Sequence, residues 1–174
     1  MAISLYDVSV ASYLQTLGAV AGFLEKGRAH CEANGIDTAT IVGTRLKDDM
    51  LPFLFQIVSV AHHSRGAIEG AKAGVFGPPG TPPALNYAGL QKLVADAIAA
   101  LKAVTPDDIN ALEGGEVVFQ LGERKMPFTT PDFLMSFSLP NFHFHAATAY
   151  DILRQAGVPL GKRDYLGAMR MKMA

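Results

Sequence analysis

Cysteine and tryptophan are nearly absent from this chain of 174 residues, which has one cysteine and no tryptophan. A single cysteine excludes an intrachain disulfide, and it also excludes the paired-cysteine spacings of zinc ribbons. Cys31 follows a stretch of small and polar residues near the end of a predicted helix. We therefore expect Cys31 to be an ordinary packed thiol rather than a nucleophile.

Net charge is also scarce, with a formal value of −1 at pH 7. Nucleic-acid-binding proteins usually carry a basic patch or stripe, and the only basic cluster here lies in the C-terminal tail. Its members are Lys162, Arg163, Arg170 and Lys172. A solvated or interface-forming tail explains this cluster, so we expect no nucleic-acid partner.

Long hydrophobic runs are absent as well, although hydrophobic residues make up 49% of the chain. A bilayer-spanning helix needs about 18–20 apolar residues, and the longest candidate, 50–61, is interrupted by Pro52 and Gln56. The N-terminus lacks the basic region of a signal peptide. These features predict a cytoplasmic protein with no membrane partner.

Apolar residues recur at helical spacing in four long segments. The predicted helices span 5–33, from about 48 to just before Gly74, 87–103, and 141–156. Ser4 and Asn86 are suitable N-caps, and Asp48 and Asp49 favour the start of the second helix. No domain linker interrupts the pattern. We predict an all-α chain, with residues 1–174 forming a single antiparallel four-helix bundle.

The connections between these helices carry weaker signals. The Gly-Pro-rich stretch 77–83 predicts a loop, and 105–108 predicts the start of a short helical turn. Residues 117–121 are β-like, and 126–128 could return as the second strand of a small hairpin before the last helix. Pro140 is expected to break the last helical region. The tail, 160–174, is expected to pack back on the body.

Four of the five histidines form two pairs, His62-His63 and His143-x-His145. Histidine is the commonest metal ligand and normally titrates near neutral pH. Helical periodicity turns His145 inward, with Asn141 one turn before it, and places His143 on the flank. His62 and His63 lie on opposite flanks of the second helix, so one of them could meet His145. The pattern does not decide which one.

Two interpretations of these residues remain open. In the first, His145, one of His62 and His63, and Asn141 or water hold a divalent metal with an open position, which is typical of catalytic zinc. In the second, His145 is a core histidine bonded to Asn141 or a tyrosine, and the other histidines lie at helix edges. A pocket without metal would have Asn141, His143, His145 and Tyr150 as its polar residues.

The C-terminal third carries a family resemblance. The residues Pro140-Asn141-Phe142-His143-Phe144-His145, then Ala149-Tyr150-Asp151-Ile152-Leu153-Arg154, and then Gly161-Lys162-Arg163-Asp164-Tyr165-Leu166-Gly167 resemble a bacterial family of unknown function in the DinB/YfiT-like superfamily. Arg45-Leu46-x-x-Asp49-Met50-x-Pro52 and Gln56 fit the same family. The resemblance extends over nearly the whole chain.

The resemblance implies a four-helix bundle that is often dimeric. Many members of the superfamily bind zinc, nickel or another divalent metal through a histidine on the second helix and an HxxxH pair on the last. Some are thiol transferases or thiol-dependent isomerases. Here His145 matches the second histidine of that pair, Asn141 occupies the first position, and His62 or His63 matches the second-helix ligand.

Three functional hypotheses follow. The protein is a metal-dependent transferase or hydrolase, a metal-free binder of a small molecule, or a structural protein whose polar core residues fix the helix register. The apolar content also exceeds what one small bundle easily hides, which favours a homodimer.

Overall fold

A computed structural model describes residues 3–81 and 84–172, and most of them are helical. In chain order the elements are α1 (Leu5–Val8), α2 (Val10–Asn34), α3 (Thr38–Gly43), α4 (Phe53–Ala61), the π-helical segment π1 (His62–Gly66), α5 (Ala67–Ala73), β1 (Val75–Phe76), α6 (Tyr87–Lys102), α7 (Pro106–Asn110), β2 (Glu116–Leu121), β3 (Arg124–Thr129), α8 (Thr130–Asp132), the second π-helical segment π2 (Phe133–Ser138), α9 (Leu139–Gln155) and α10 (Lys162–Leu166).

The first predicted helix is present but divided. Ser4 caps α1, and the Asp7 carboxylate accepts a hydrogen bond from the Ser4 backbone in return, which completes a capping box. Ser9 has non-helical dihedral angles, φ −106° and ψ −83°, and separates α1 from α2. The long helix α2 ends at Gly35, whose φ of +64° is the left-handed conformation that glycine adopts readily.

The second helix begins later than its acidic residues predict. Asp48 and Asp49 lie in a turn closed by a hydrogen bond from Met50 N to Lys47 O, and α4 starts at Phe53 with Pro52 as its N-cap. A proline disfavours helical dihedral angles in the residue before it, so Leu51 cannot continue a helix into Pro52. The acidic pair therefore belongs to a connection and not to a helix.

Pro140 does not break the last helical region, contrary to the prediction. It lies in the first turn of α9, directly after π2, and the helical backbone passes through it. Proline in a regular α-helix clashes with the carbonyl four residues earlier. The wider π-helical turn before Pro140 relieves that conflict, and the helix continues to Gln155.

The chain is mostly helical, but it is not all-α as predicted, because it also contains a small three-stranded sheet. The predicted hairpin is present as β2 and β3, which pair antiparallel from Glu116–Thr129 to Leu121–Arg124. The sequence did not indicate β1, which pairs parallel to β2 through Val75–Val118 and Phe76–Phe119. Gly74, with φ +72°, ends α5 and turns the chain into this strand.

The long helices enclose the core by pairwise packing. Helix α2 packs against α6 and α9, and α4 packs against the same two helices. The tail packs on α2 through α10, where Lys26 binds Asp164 and the Gln15 amide donates to Leu166 O. Within the described ranges no helix is long and apolar enough to cross a membrane.

Some predictions extend beyond the described residues. The loop predicted at 77–83 follows β1 over residues 77–81, while Pro82 and Pro83 lie outside the described residues. Met173 and Ala174 of the predicted tail also lie outside them, as do Met1 and Ala2. Helix α6 starts after the Asn86 cap as expected, and α7 starts after Thr105 with a capping box.

Candidate functional site

His63 is the residue that meets His145, which answers the question that periodicity left open. The two imidazole rings are nearly parallel, with 5.9 Å between their centroids and 15° between their planes. His63 lies in π1 and His145 in α9, so the pair joins the second helical region to the last. A π-helical turn changes the angular phase of the helix, and such turns are frequent at functional sites.

Gln56 fixes the protonation form of His145. The Gln56 side chain is buried, and its amide Nε2 donates to Leu51 O at 2.7 Å, which leaves Oε1 as the acceptor. His145 Nδ1 lies 2.8 Å from this oxygen and must therefore carry the hydrogen. In a neutral ring, Nε2 of His145 then carries no hydrogen, and its lone pair can accept a hydrogen bond or a proton.

Burial keeps both imidazoles neutral at pH 7. Desolvation lowers the pKa of His145 to about 4. Desolvation, with smaller contributions from His62 and His145, lowers the pKa of His63 to about 3. His63 is only 6% exposed, and its Nδ1 is buried without a hydrogen-bond partner among the described residues. An unpaired polar atom of this kind is uncommon in a folded protein.

A buried hydroxyl relay holds the backbone of His63. The Tyr13 hydroxyl donates to Ser138 Oγ at 2.8 Å, and Ser138 Oγ donates to His63 O at 2.6 Å. All three residues are buried. Ser138 is the last residue of π2, so the relay ties the two π-helical segments to each other and to α2.

His62 occupies a different environment from its neighbour. Its Nε2 is 2.8 Å from Gly77 O, so this nitrogen carries the hydrogen and donates it to the carbonyl. Its ring stacks on Phe76 with 4.4 Å between the centroids. Both histidines pack against Phe76, but only His63 joins the pair with His145.

The remaining predicted site residues are near His145 in sequence but have other partners. Asn141 donates its amide hydrogen to Phe137 O, one turn back in the helix. His143 is exposed and lies beside the Tyr165 hydroxyl, which is 3.5 Å from His143 Nδ1. Tyr150 packs edge-on against Phe23 and Tyr165. The hydrogen bond that the second interpretation gave to Asn141 or a tyrosine is made by Gln56.

Gln56, Ser138 and Tyr13 were not predicted as site residues. Gln56 had a usable signal, because it is a polar residue in an apolar helical stripe on the same flank as His63. Ser138 and Tyr13 had none, since a serine and a tyrosine 125 positions apart carry no mark of their contact.

The donor set tests whether the metal implied by the resemblance fits. Within the described parts of the chain, no three or more histidine, cysteine, aspartate or glutamate side chains are grouped so that they could hold an ion. The position of a third histidine is taken by Asn141, whose amide nitrogen is bonded to the backbone. The described residues therefore do not fit a three-histidine centre.

Comparisons with known proteins show the fold through a solved structure and the family through a family model. No curated protein matches the chain significantly. The crystal structure of a DinB family member protein from Shewanella denitrificans superposes with a TM-score of 0.82 at 24% sequence identity, covering 98% of this chain and 96% of that one. This match shows a DinB-like helical fold. The profile of a domain of unknown function, DUF1993, matches residues 5–166, and the chain therefore belongs to the DUF1993 family.

Proposed function

We propose that this protein binds a small molecule at the His63–His145 pair, and that His145 Nε2 accepts a proton or a hydrogen bond from a hydroxyl or thiol of that molecule. The packing of α2, α4, α6 and α9 around the pair is interpreted as an antiparallel four-helix bundle, whose core is a common place for such sites.

The observation that carries the proposal is the hydrogen bond between His145 Nδ1 and Gln56 Oε1 at 2.8 Å. It selects the one neutral tautomer in which Nε2 is free to accept. A general base needs a lone pair at a fixed position and must be unprotonated at the working pH. The lowered pKa of His145 keeps the ring unprotonated at pH 7, and it also makes the ring a weaker base than an ordinary histidine.

The surroundings suit a ligand with an apolar part. Phe55 and Phe144 both lie edge-on to the His145 ring, with centroids 5.8 and 5.3 Å away. Phe144 is 58% exposed, so apolar surface continues from the imidazole toward solvent. Sites for small molecules commonly combine such surface with a few fixed polar groups.

The corresponding reaction class is a transfer or hydrolysis. The proton of a bound thiol, hydroxyl or water moves to His145 Nε2, and the electron pair left on the sulfur or oxygen forms a bond to an electrophilic carbon of the other substrate. The bond from that carbon to its leaving group breaks, and the leaving group takes the proton from His145 Nε2. His63 has a still lower pKa and stays neutral beside the charged His145 ring that results. A second positive charge next to that ring would oppose the transfer.

A two-histidine centre for zinc or nickel is the second candidate. The donation of Nδ1–H by His145 to Gln56 favours it, because metal-binding histidines are usually oriented by a bond of this type. His63 and His145 would hold the ion, with water or substrate completing the coordination. A bound ion would lower the pKa of a thiol or water ligand.

Elemental analysis and ligand screening of the untagged protein test both candidates. His145→Ala is compared with His143→Ala, which removes an exposed histidine two residues away on the same helix. We expect hydroxyl- or thiol-containing compounds to raise the Tm of the wild type and of His143→Ala but not of His145→Ala. Metal retained by the wild type and by His143→Ala, and lost from His145→Ala, would replace the metal-free proposal with the second candidate. Equal ligand binding by all three proteins would contradict the metal-free proposal, and equal metal content in all three would contradict the second candidate.

A further inference from the structure

His62 lines a cleft that does not include the His63–His145 pair. Its volume is about 270 Å³, and it lies between the second helical region, helix α6 and the loop after β1. Val58, Ala61 and Leu93 form the apolar side of the cleft, and His62, Arg65 and Glu69 form its polar side.

The imidazole of His62 is held in one tautomer by the loop. Because Nε2 donates its hydrogen to Gly77 O, the lone pair is on Nδ1. Gly66 leaves space beside this atom, since a Cβ at that position would lie 3.3 Å from His62 Nδ1. The cleft therefore contains a fixed hydrogen-bond acceptor with no side chain in front of it on the Gly66 side.

Opposite charges stand one helical turn apart at the same cleft. Arg65 Nε lies 3.3 Å from Glu69 Oε1, and the side chains of these two residues are 38% and 64% exposed. Arg65 Nε is itself buried and has no hydrogen-bond partner in the described structure, so its contact with Glu69 is an ion pair without a hydrogen bond. An ion pair of this geometry between two partly exposed side chains is weak, so a ligand that offers each charge a better partner can replace it.

We propose that this cleft binds an α-amino acid with an apolar side chain. Arg65 pairs with the carboxylate, in the two-pronged geometry that a guanidinium favours. His62 Nδ1 and Glu69 accept hydrogen bonds from the ammonium group. The apolar side chain packs against Val58, Ala61 and Leu93.

The polar side of the cleft fits a ligand with both a carboxylate and an ammonium group better than a ligand with only one of them. A lone carboxylate would leave Glu69 and the His62 acceptor without a donor, and a lone amine would leave Arg65 without an acceptor. The cleft shares neither His63 nor His145 with the proposed function, so either site could fail without the other.

Calorimetric titration of the full chain with L-alanine, L-valine, L-leucine and L-methionine, up to about 10 mM, tests the proposal. 4-Methylpentanoate, which lacks the ammonium, and 3-methylbutylamine, which lacks the carboxylate, are titrated in parallel. We expect at least one of the amino acids to bind saturably and both single-charge compounds to bind more weakly.

Arg65→Gln is the decisive variant, and Lys92→Gln is its matched control. Lys92 forms an ion pair with Asp96 on α6, at 2.7 Å and equally one turn apart, but does not line the cleft. Arg65→Gln should weaken amino-acid binding by about tenfold or more, because a charge-assisted hydrogen bond is lost, while Lys92→Gln leaves it unchanged. Gly66→Ala should also weaken binding by crowding His62 Nδ1.

Three results would overturn the proposal. They are no saturable binding of any of the four amino acids to the wild type, equal binding by Arg65→Gln and Lys92→Gln, and loss of binding in His145→Ala. Thermal unfolding of each variant shows whether it is folded. Arg65 is a half-buried surface residue, so Arg65→Gln is expected to fold.

Discussion

At the scale of single residues, the two histidines of the site differ in whether their Nδ1 atom has a hydrogen-bond partner. His145 donates its Nδ1 hydrogen to Gln56, whereas Nδ1 of His63 is buried and has no hydrogen-bond partner within the described parts of the chain. An unsatisfied buried nitrogen is unfavourable, and charging it would be more so. Both rings are therefore neutral in the folded protein, and the unsatisfied nitrogen of His63 lowers the stability of the fold.

The lowered pKa values predict that the protein loses stability in mild acid. Both histidines take up protons in the unfolded chain near pH 6.5 but in the folded protein only near pH 4 and pH 3. Between about pH 6.5 and pH 3 the unfolded state thus binds more protons than the folded state. The free energy of unfolding therefore falls as the pH drops below about 6.5.

Substitution of His145 should reduce this dependence. His145→Leu is expected to flatten the slope by up to about 1 kcal/mol per pH unit between pH 6 and about pH 4.5, allowing for the partial exposure of the ring. Urea unfolding at a series of pH values measures it. An unchanged slope in His145→Leu would show that His145 titrates normally in the folded protein.

The sequence predicted part of the site at this scale. Helical periodicity correctly placed His145 toward the bundle and His143 on the flank. It could not choose between His62 and His63, because the choice depends on π1, and a π-helical turn has no sequence signature in Ala61-His62-His63-Ser64-Arg65-Gly66. The Gln56 bond was missed because it joins residues 89 positions apart.

At the scale of elements, the two π-helical segments are joined by one side chain. Ser138 ends π2 and bonds to the backbone of His63 in π1. Tyr13 lies in the first turn of α2, and its hydroxyl donates to Ser138 Oγ, which connects α2 to both π-helical segments. The position of His63 relative to His145 thus depends on three helical elements together.

Ser138→Ala tests this connection. The change leaves the buried Tyr13 hydroxyl without its acceptor, so we expect a loss of about 1–3 kcal/mol in the free energy of unfolding. Ser136→Ala, in the same π-helical segment, removes an exposed hydroxyl that donates to Asp132 O, and should change stability by less than about 0.5 kcal/mol. Equal stabilities of the two variants by urea unfolding would argue against the relay.

The junction of α5 and β1 gives a second test at this scale. A Cβ on Gly70 would lie 2.9 Å from Phe76 Cδ2 and 3.0 Å from Val75 O, so Gly70→Ala should destabilise by about 1–3 kcal/mol. Gly18→Ala is the control, since its Cβ would meet nothing within 4 Å in α2. That variant should gain about 0.5–1 kcal/mol. Thermal unfolding of both proteins checks the opposite signs.

At the scale of the whole molecule, the helices were predictable and the sheet only partly so. Long amphipathic helices with clear caps, such as α6 after Asn86, can be predicted from the sequence of the segment itself. Strand β1 has two residues and exists because β2 lies beside it, so its sequence alone could not indicate it. The start of α4 was misplaced because Asp48 and Asp49 resemble a helix start, while Pro52 determines the actual one.

The surface beside the site leads us to propose a homodimer. Phe144 is 58% exposed next to His145, and a second copy of the chain would cover it. Light scattering should give the mass of a dimer for the wild type and of a monomer for Phe144→Asp. Leu121→Asp, at the exposed tip of the β2–β3 hairpin, should leave the mass unchanged. A monomeric wild type would contradict the proposal.

The most direct test of the central claim is an NMR spectrum that correlates the side-chain nitrogens and carbon-bound hydrogens of the histidines at pH 7. The account predicts that His145 is neutral and carries its hydrogen on Nδ1, and that Gln56→Leu, which removes the acceptor, converts it to a mixture of tautomers. A charged His145 ring, or a hydrogen on Nε2 in the wild type, would contradict the account, because no free lone pair would then face a ligand.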